Sequence, residues 1–370
     1  MKTFLTPALR AQIVKEFLSI MRDKKTRLII IIPPLVQLFI FAYAVTLEVN
    51  NISIAVYNKD NGSQVGRFIA QLSHASFVRD LRSVHSESAL REEINMRRSI
   101  LAVVFPADFS RKIDGGKQGE LLLISDGRRA NSAQVAAGYI QEIAGKFAQV
   151  LHPNIKVPDP TVVRHWFNEN LTYQWYVVPG LSGIISLLIA FILTALSIAR
   201  ERELGTFDQL LVSPCSSWEI IVAKMAPSIV IGMGLANVIA AAAVFIFHIP
   251  FLGSFVLLEI SLLIFTIAIA SMGLVVSALA ATQQQAVLGS FAVIVPIILC
   301  SGFATPIANM PETLQYIAQG IPLTHYIIIV EGLFMKAMPA FIVWQHIGSM
   351  AIIALVCLLV STSVVRKTLQ

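Results

Sequence analysis

Residues 254–280 read SFVLLEISLLIFTIAIASMGLVVSALA and carry one charged side chain, Glu259. A helix of about 20 apolar residues crosses the hydrocarbon core of a bilayer, so this stretch reads as a transmembrane helix. Working outward, Ile220–Phe247 and Tyr176–Ala199 precede it, and Ala286–Phe303 and Phe341–Val365 follow it. An earlier apolar run, Leu28–Leu47, contains Pro33-Pro34 and Gln37. Together these predict an α-helical membrane protein with six transmembrane helices. The apolar stretch Leu323–Phe334 is too short to span and follows Pro322, so it reads as a re-entrant or interfacial piece, part of an outer re-entrant segment, residues 304–340.

Charge distribution supports that division. Only 14% of the 370 residues are charged, against about a quarter in an average soluble domain. Residues 225–365 hold four charged side chains, Glu259, Glu312, Glu331 and Lys336, whereas residues 48–175 hold 28. The net charge of +6 does not suggest nucleic acid, because the basic residues flank an apolar run: Lys2, Arg10, Lys15, Arg22, Lys24, Lys25 and Arg27 precede Leu28. Such a flank marks the cytoplasmic side. Arg200 and Arg202 follow the second span and Arg366 and Lys367 the last, so both termini are expected in the cytoplasm and residues 48–170 outside. The motif Ala42-Tyr43-Ala44 resembles a signal-peptide cleavage site, but the basic flank is too long for one and two prolines interrupt the run.

Residues 1–27 suggest an amphipathic helix on the cytoplasmic membrane surface. Thr6-Pro7 supplies an N-cap and a proline at the first helical position, and Leu9, Ile13, Phe17, Ile20 and Met21 recur at helical spacing. Residues 48–170 alternate strand and helix patterns. Ile52–Tyr57, Phe77–Val84, Ser99–Phe105 and Glu120–Ser125 read as strands; Ser63–Leu72, Glu87–Met96 and Asn131–Leu151 read as helices. That alternation predicts an inserted extracytoplasmic α/β domain, with the proline-rich His152–Pro160 leading back to the membrane. Its lack of cysteine excludes a disulfide there, since the chain's three, Cys215, Cys300 and Cys357, lie elsewhere.

Little in the chain points to catalysis. The seven histidines form no metal-ligand or nucleophile pattern, and Gly116-Lys117 and Gly145-Lys146 are not followed by the Ser or Thr of a phosphate loop. Asp126-Gly127-Arg128-Arg129 resembles an anion-binding turn before a helix, but reads first as a strand-to-helix turn with solvated charges. Glu259 lies near the outer end of its span. With Gln37 and Asn237 it is a candidate for a substrate path, although small and polar residues also serve helix packing.

The cytoplasmic loop 200–219 is the most structured connection. Gly205 breaks the preceding helix, Thr206 and Gln209 form a capping box, and Phe207, Leu210 and Leu211 fall on one side of a short helix, Thr206–Val212, that Ser213-Pro214 ends. Ser216 and Glu219 form a second capping box at the head of the next span. On physical grounds alone this helix is equally a connector or an element that docks in a partner's groove.

The string ERELGTFDQLLVSP, Glu201 to Pro214, resembles the signature of ABC-2 type transporter permeases. SGFATPIANMP, Ser301 to Pro311, resembles the segment after their fifth span. Trp166–Leu171, Val177–Gly180 and Thr282–Ala286 are similar to further segments of the multidrug-exporter subgroup that has a large extracytoplasmic domain, with Glu169 where that subgroup more often has proline. The resemblance implies the transmembrane permease subunit of an ATP-driven exporter in the bacterial inner membrane, itself non-catalytic and binding no cofactor. ATP and Mg would sit on a separate ABC ATPase, docked through Glu201, Glu203, Gly205, Thr206, Phe207, Gln209, Leu210, Leu211 and Pro214. A second permease chain, a periplasmic adaptor and membrane lipid are the other implied partners, and a drug-like or amphipathic molecule the implied substrate. A secondary ion or drug antiporter is the alternative, but it would ordinarily place ionisable residues at mid-membrane; a membrane-anchored sensor would need fewer spans.

Overall fold

A computed structural model describes residues 6–43, 52–96, 98–126, 130–151, 172–207 and 215–369. The linker His152–Pro160, the Trp166–Leu171 motif and Gly127–Arg129 lie outside the described residues. The chain divides into two compact units, one from Met1–Val45 with Asn170–Gln370 and one from Thr46–Glu169.

The smaller unit is an α/β layer built on a four-stranded sheet. Its elements in chain order are β1 (Ile52–Asn58), β2 (Val78–Val84), β3 (Leu101–Phe105) and β4 (Leu122–Ser125). The sheet order is β2-β1-β3-β4, with β1 parallel to both neighbours and β4 antiparallel to β3. Alternation along β1 explains why both faces are covered. Ile54 and Val56 join Phe68, Phe105 and Phe147 in one core, and Ala55 joins Leu90 and Val104 in the other. The first core is closed by helices Ser63–Ser73, Phe109–Asp114 and Ala130–Leu151, the second by Glu87–Asn95. The short helix Phe109–Asp114 is an addition to the pattern read from sequence.

The larger unit is helical throughout. Numbered within this unit, its elements are α1 (Pro7–Arg22), α2 (Lys24–Tyr43), α3 (Tyr173–Glu203), α4 (Ser217–Phe245), α5 (Phe255–Leu279), α6 (Gln283–Cys300), α7 (Glu312–Gln319), α8 (Pro322–Met335) and α9 (Ala340–Leu369). Among the described residues, α3, α4, α5, α6 and α9 are each long and apolar enough to cross a membrane, and a bent α7–α8 pair counted as one span would make six. The apolar part of α2, Ile30–Tyr43, is shorter than a span, and residues 44–47 of the predicted first span lie outside the described residues.

At the centre is α3, almost wholly buried from Val177 to Ala199. Close approach of its neighbours depends on small residues: a Cβ on Gly273 of α5 would lie 2.6 Å from the Phe191 carbonyl of α3, and one on Gly183 of α3 would lie 2.6 Å from the Tyr326 ring of α8. Such small-residue contacts let backbones pack where no hydrophobic drive separates helix from lipid. The α7–α8 pair turns through 78°. The segment read as re-entrant or interfacial is thus bent, and Leu323, Tyr326, Ile329, Val330 and Leu333 of α8 are buried in the main core. Tyr326 stacks on Phe265 at 4.7 Å and shares a hydrogen bond with Ser182.

Candidate functional site

The end of α3, the start of α4, the end of α5 and the start of α6 meet at one end of the bundle. The Ser277 hydroxyl accepts from the Ile198 and Ala199 amides at 2.9 and 3.2 Å, and the Arg202 guanidinium donates to the Ala280 carbonyl at 2.9 Å. Here α3 gives way to the loop expected to couple to a partner. Gly205, with φ of +69°, makes the turn a side chain would strain, and the Thr206 amide donates back to the Glu201 carbonyl at 2.9 Å.

Phe207 is half-buried, its ring 5.1 Å from the Arg202 guanidinium, and it packs against the cluster containing Ile198, Ile221, Met225 and Leu274. Part of the apolar side predicted for a partner's groove therefore rests on the chain's own bundle. Gln209, Leu210, Leu211 and Pro214 lie outside the described residues. The two carboxylates of the implied docking set, Glu201 and Glu203, have intramolecular partners. Glu203 accepts from the Gln283 amide at 2.8 Å at the head of α6, and Glu201 turns inward, 8% exposed.

Glu201 belongs to an ion cluster that no local motif announces. Lys224, on α4, has a side chain only 1% exposed, and its Nζ lies 2.8 Å from both Glu16 Oε1 and Glu201 Oε1. Lys15 Nζ lies 2.8 Å from Glu201 Oε1 and 3.7 Å from Glu16 Oε1. Two lysines and two glutamates balance, which is what permits ions to leave water. Although burial works against its charge, Lys15 is held above the ordinary lysine range by the hydrogen bond and charge of Glu201, with Glu16 adding to both.

This cluster changes the reading of α1. Within the bundle, α1 turns Glu16 inward to Lys224 and leaves Val14, Leu18 and Met21 exposed. The two caps recognised in the sequence meet on one carboxylate. Thr6 accepts from the Leu9 amide and donates to Glu219 Oε1 at 2.6 Å, while Glu219 Oε2 accepts from the Ser216 amide and hydroxyl at 2.8 and 2.6 Å. Between α1 and α3, over the cluster, lies a cavity of about 470 Å³ lined by Gln12, Glu16, Arg200, Glu201, Lys224 and Gln283 among others.

The three residues proposed for a substrate path are not brought together by hydrogen bonds among the described residues. Gln37 is half-buried on α2, and Asn237 donates to the Met233 carbonyl of its own helix at 3.2 Å. Glu259 keeps one buried oxygen without a hydrogen-bond partner among the described residues, as does Glu331 on α8. At the same end of the bundle His325 and His346 join α8 to α9 through Nδ1 atoms 3.1 Å apart, with His325 Nε2 2.9 Å from the Gln319 carbonyl. A donor at that carbonyl must be His325 Nε2–H, which for a neutral ring leaves its Nδ1 to accept from His346.

Comparison with known proteins places this arrangement. Residues 24–362 match the family described as ABC-2 family transporter protein. The chain is 39% identical over 341 residues to the probable multidrug ABC transporter permease YbhR of Escherichia coli, covering 92% of this chain and 93% of that one. It is 28% identical to the probable multidrug ABC transporter permease YbhS, covering 88% of each, and 27% identical to the inner membrane transport permease YhhJ, covering 92% of each, both also from Escherichia coli.

Proposed function

The chain belongs to the ABC-2 family of transporter proteins, and from that membership we propose that it is the transmembrane permease subunit of an ATP-driven multidrug exporter. It moves a drug-like or amphipathic molecule outward across a bacterial inner membrane. ATP and Mg bind a separate ABC ATPase, and this chain is non-catalytic. A second permease chain completes the pathway, and the unit from Thr46–Glu169, outside the cell membrane, is where a periplasmic adaptor would meet it. The observation that carries the reading is the match along nearly the whole chain to proteins named as multidrug permeases.

The loop after α3 is the coupling element. Its turn at Gly205 is fixed to the bundle by Arg202 and Phe207, so force on the following residues reaches α3 rather than being lost in a slack connection. With Phe207 seated on its own chain, the docking anchors proposed are Leu210 and Leu211. Truncating such an anchor commonly costs about 2 kcal/mol, roughly thirtyfold in affinity. The Leu210→Ala, Leu211→Ala permease should insert and melt as the wild type yet lose the ATPase on affinity purification from native membranes and lose ATP-dependent drug efflux. Recovery of the ATPase at wild-type yield would reduce the loop to a connector.

A further inference from the structure

We propose that β4 is a docking edge, at which an extended segment of a partner protein adds as a fifth strand to the sheet of the smaller unit. The two edges of that sheet differ in kind. β2 carries Arg79, Asp80 and Arg82, with Arg82 held 2.8 Å from Asp80 and 3.4 Å from Glu93. Charges on an edge strand guard it against pairing with another chain. β4, Leu122–Ser125, has no charge, no proline and no bulge against β3. Its Leu122 is 55% exposed and Ser125 is exposed as well, and no further strand lies beside it among the described residues. Such an edge presents backbone donors and acceptors at the two-residue spacing of a strand, and another strand is the ligand that meets them all.

The sheet face beside that edge is only half covered. The helix Glu87–Asn95 packs on β1, β2 and β3. Between it and β4 runs a groove of about 570 Å³, with Tyr57, Leu90, Ile94, Val104, Leu122 and Ile124 in its lining. Side chains of a strand alternate between faces, so every second residue of the incoming segment extends over this groove and is apolar to match it. The rim adds a charge preference. Arg91 is taken by Glu87 at 2.8 Å, but Lys59 is exposed, stands over the Tyr57 ring at 4.8 Å and pairs with no carboxylate among the described residues. The occupant is therefore an extended segment, apolar at alternate positions, with an acidic residue at the end nearest Lys59. A second copy of β4 is a poorer match. Antiparallel pairing of two copies about a two-fold axis at Leu123 would set Glu120 of one against Asp126 of the other, and like charges directly opposite are destabilising. An axis at Ile124 would set Leu122 against Asp126. The inference rests on the exporter reading only for where the partner sits, outside the inner membrane.

The test uses the full-length permease in nanodiscs and, as probe, a labelled peptide that alternates valine with threonine and carries glutamate at each end. Fluorescence anisotropy should show saturable binding, and hydrogen exchange should slow at residues 122–125. Two further peptides, N-methylated at alternate amides in one phase or the other, separate a strand from any other apolar ligand. In a paired strand only one phase of amides faces the edge, so one methylated peptide should lose binding and the other keep it. Leu122→Lys, at an exposed position, should abolish binding with melting unchanged. Lys59→Gln should weaken it about threefold, the effect of one surface ion pair. No saturable binding, equal behaviour of the two methylated peptides, or wild-type binding by Leu122→Lys would each overturn the proposal. So would a disulfide joining two chains of a Leu122→Cys, Ile124→Cys variant that lacks the native cysteines, because a second copy would then be the occupant. The titration involves neither ATPase nor transport, so its failure leaves the exporter reading standing, and loss of ATPase docking leaves this edge standing.

Discussion

Lys224 shows how much one residue can decide at the coupling end. Its ammonium is gripped by carboxylates from two different helices, Glu16 of α1 and Glu201 of α3, so it ties the amino-terminal helix to the helix that leads into the coupling loop. Removing one partner of a buried ion pair leaves an uncompensated charge, at a cost of about 3–5 kcal/mol. Lys224→Met should therefore lower the thermal stability of the purified permease sharply. Adding Glu16→Gln restores the balance, because Lys15 and Glu201 remain as a neutral pair, and the double variant should melt above the single one. That non-additivity is the signature of direct coupling; a double variant no more stable than Lys224→Met would show that Lys224 acts through packing alone. The ion cluster was invisible in the sequence for a simple reason. Glu16, Glu201 and Lys224 come from three separate helices, and no local periodicity records which charged residue of a basic amphipathic helix will find a partner two hundred positions away. The caps were legible because they are local: Thr6-Pro7 and Ser216-x-x-Glu219 state their hydrogen bonds within one turn, though not that Thr6 and Glu219 would bond to each other.

Among the elements, α8 is the one whose length says least about its packing. Its 14 residues are too few to span, and it packs into the core beside α3 and α5. Length limits how far a helix can cross; it does not say how deeply a bend can insert it, and here the 78° turn after Gln319 does so. The fit depends on Gly183 of α3, where a Cβ would approach Tyr326 to 2.6 Å and Leu323 to 3.2 Å. Gly183→Ala should cost about 1–3 kcal/mol as overpacking. Gly234 of α4, where a Cβ meets nothing within 4 Å, provides the control: Gly234→Ala should be neutral or slightly stabilising in the same thermal assay. Equal losses at both would show that the α3–α8 contact is loose. Spans such as α5 were legible because twenty-odd apolar residues admit little else in a membrane. In the smaller unit, short strand-like runs between helical patterns locate β1 and β2 to within a residue or two. The strand order β2-β1-β3-β4 was not legible, since parallel neighbours are chosen by crossovers and not by the strands themselves.

At the scale of the molecule, the question is which end of the bundle faces the ATPase, and the charges make a single prediction. Arg200, Arg202, Lys15 and Lys224 gather where α3 ends and α4 begins, and Arg366 and Lys367 stand in the last turn of α9. The short loop at the opposite end, between Phe245 and Phe255, contains no lysine or arginine. Basic residues in short loops are held on the cytoplasmic side, which predicts a cytoplasmic charged end and an external position for the unit from Thr46–Glu169. In that orientation the cation-rich end is where ATP is available, so the predicted orientation and the proposed coupling stand or fall together. In a chain with Cys215, Cys300 and Cys357 replaced by serine, Ser63→Cys reports on the smaller unit and Leu204→Cys, at a position 63% exposed, on the coupling turn. An impermeant maleimide added to cells with a permeabilised outer membrane should label position 63 and spare position 204 until the inner membrane is opened. Labelling of 204 in intact spheroplasts, with 63 protected, would invert the protein and place its coupling loop where no ATPase could reach it.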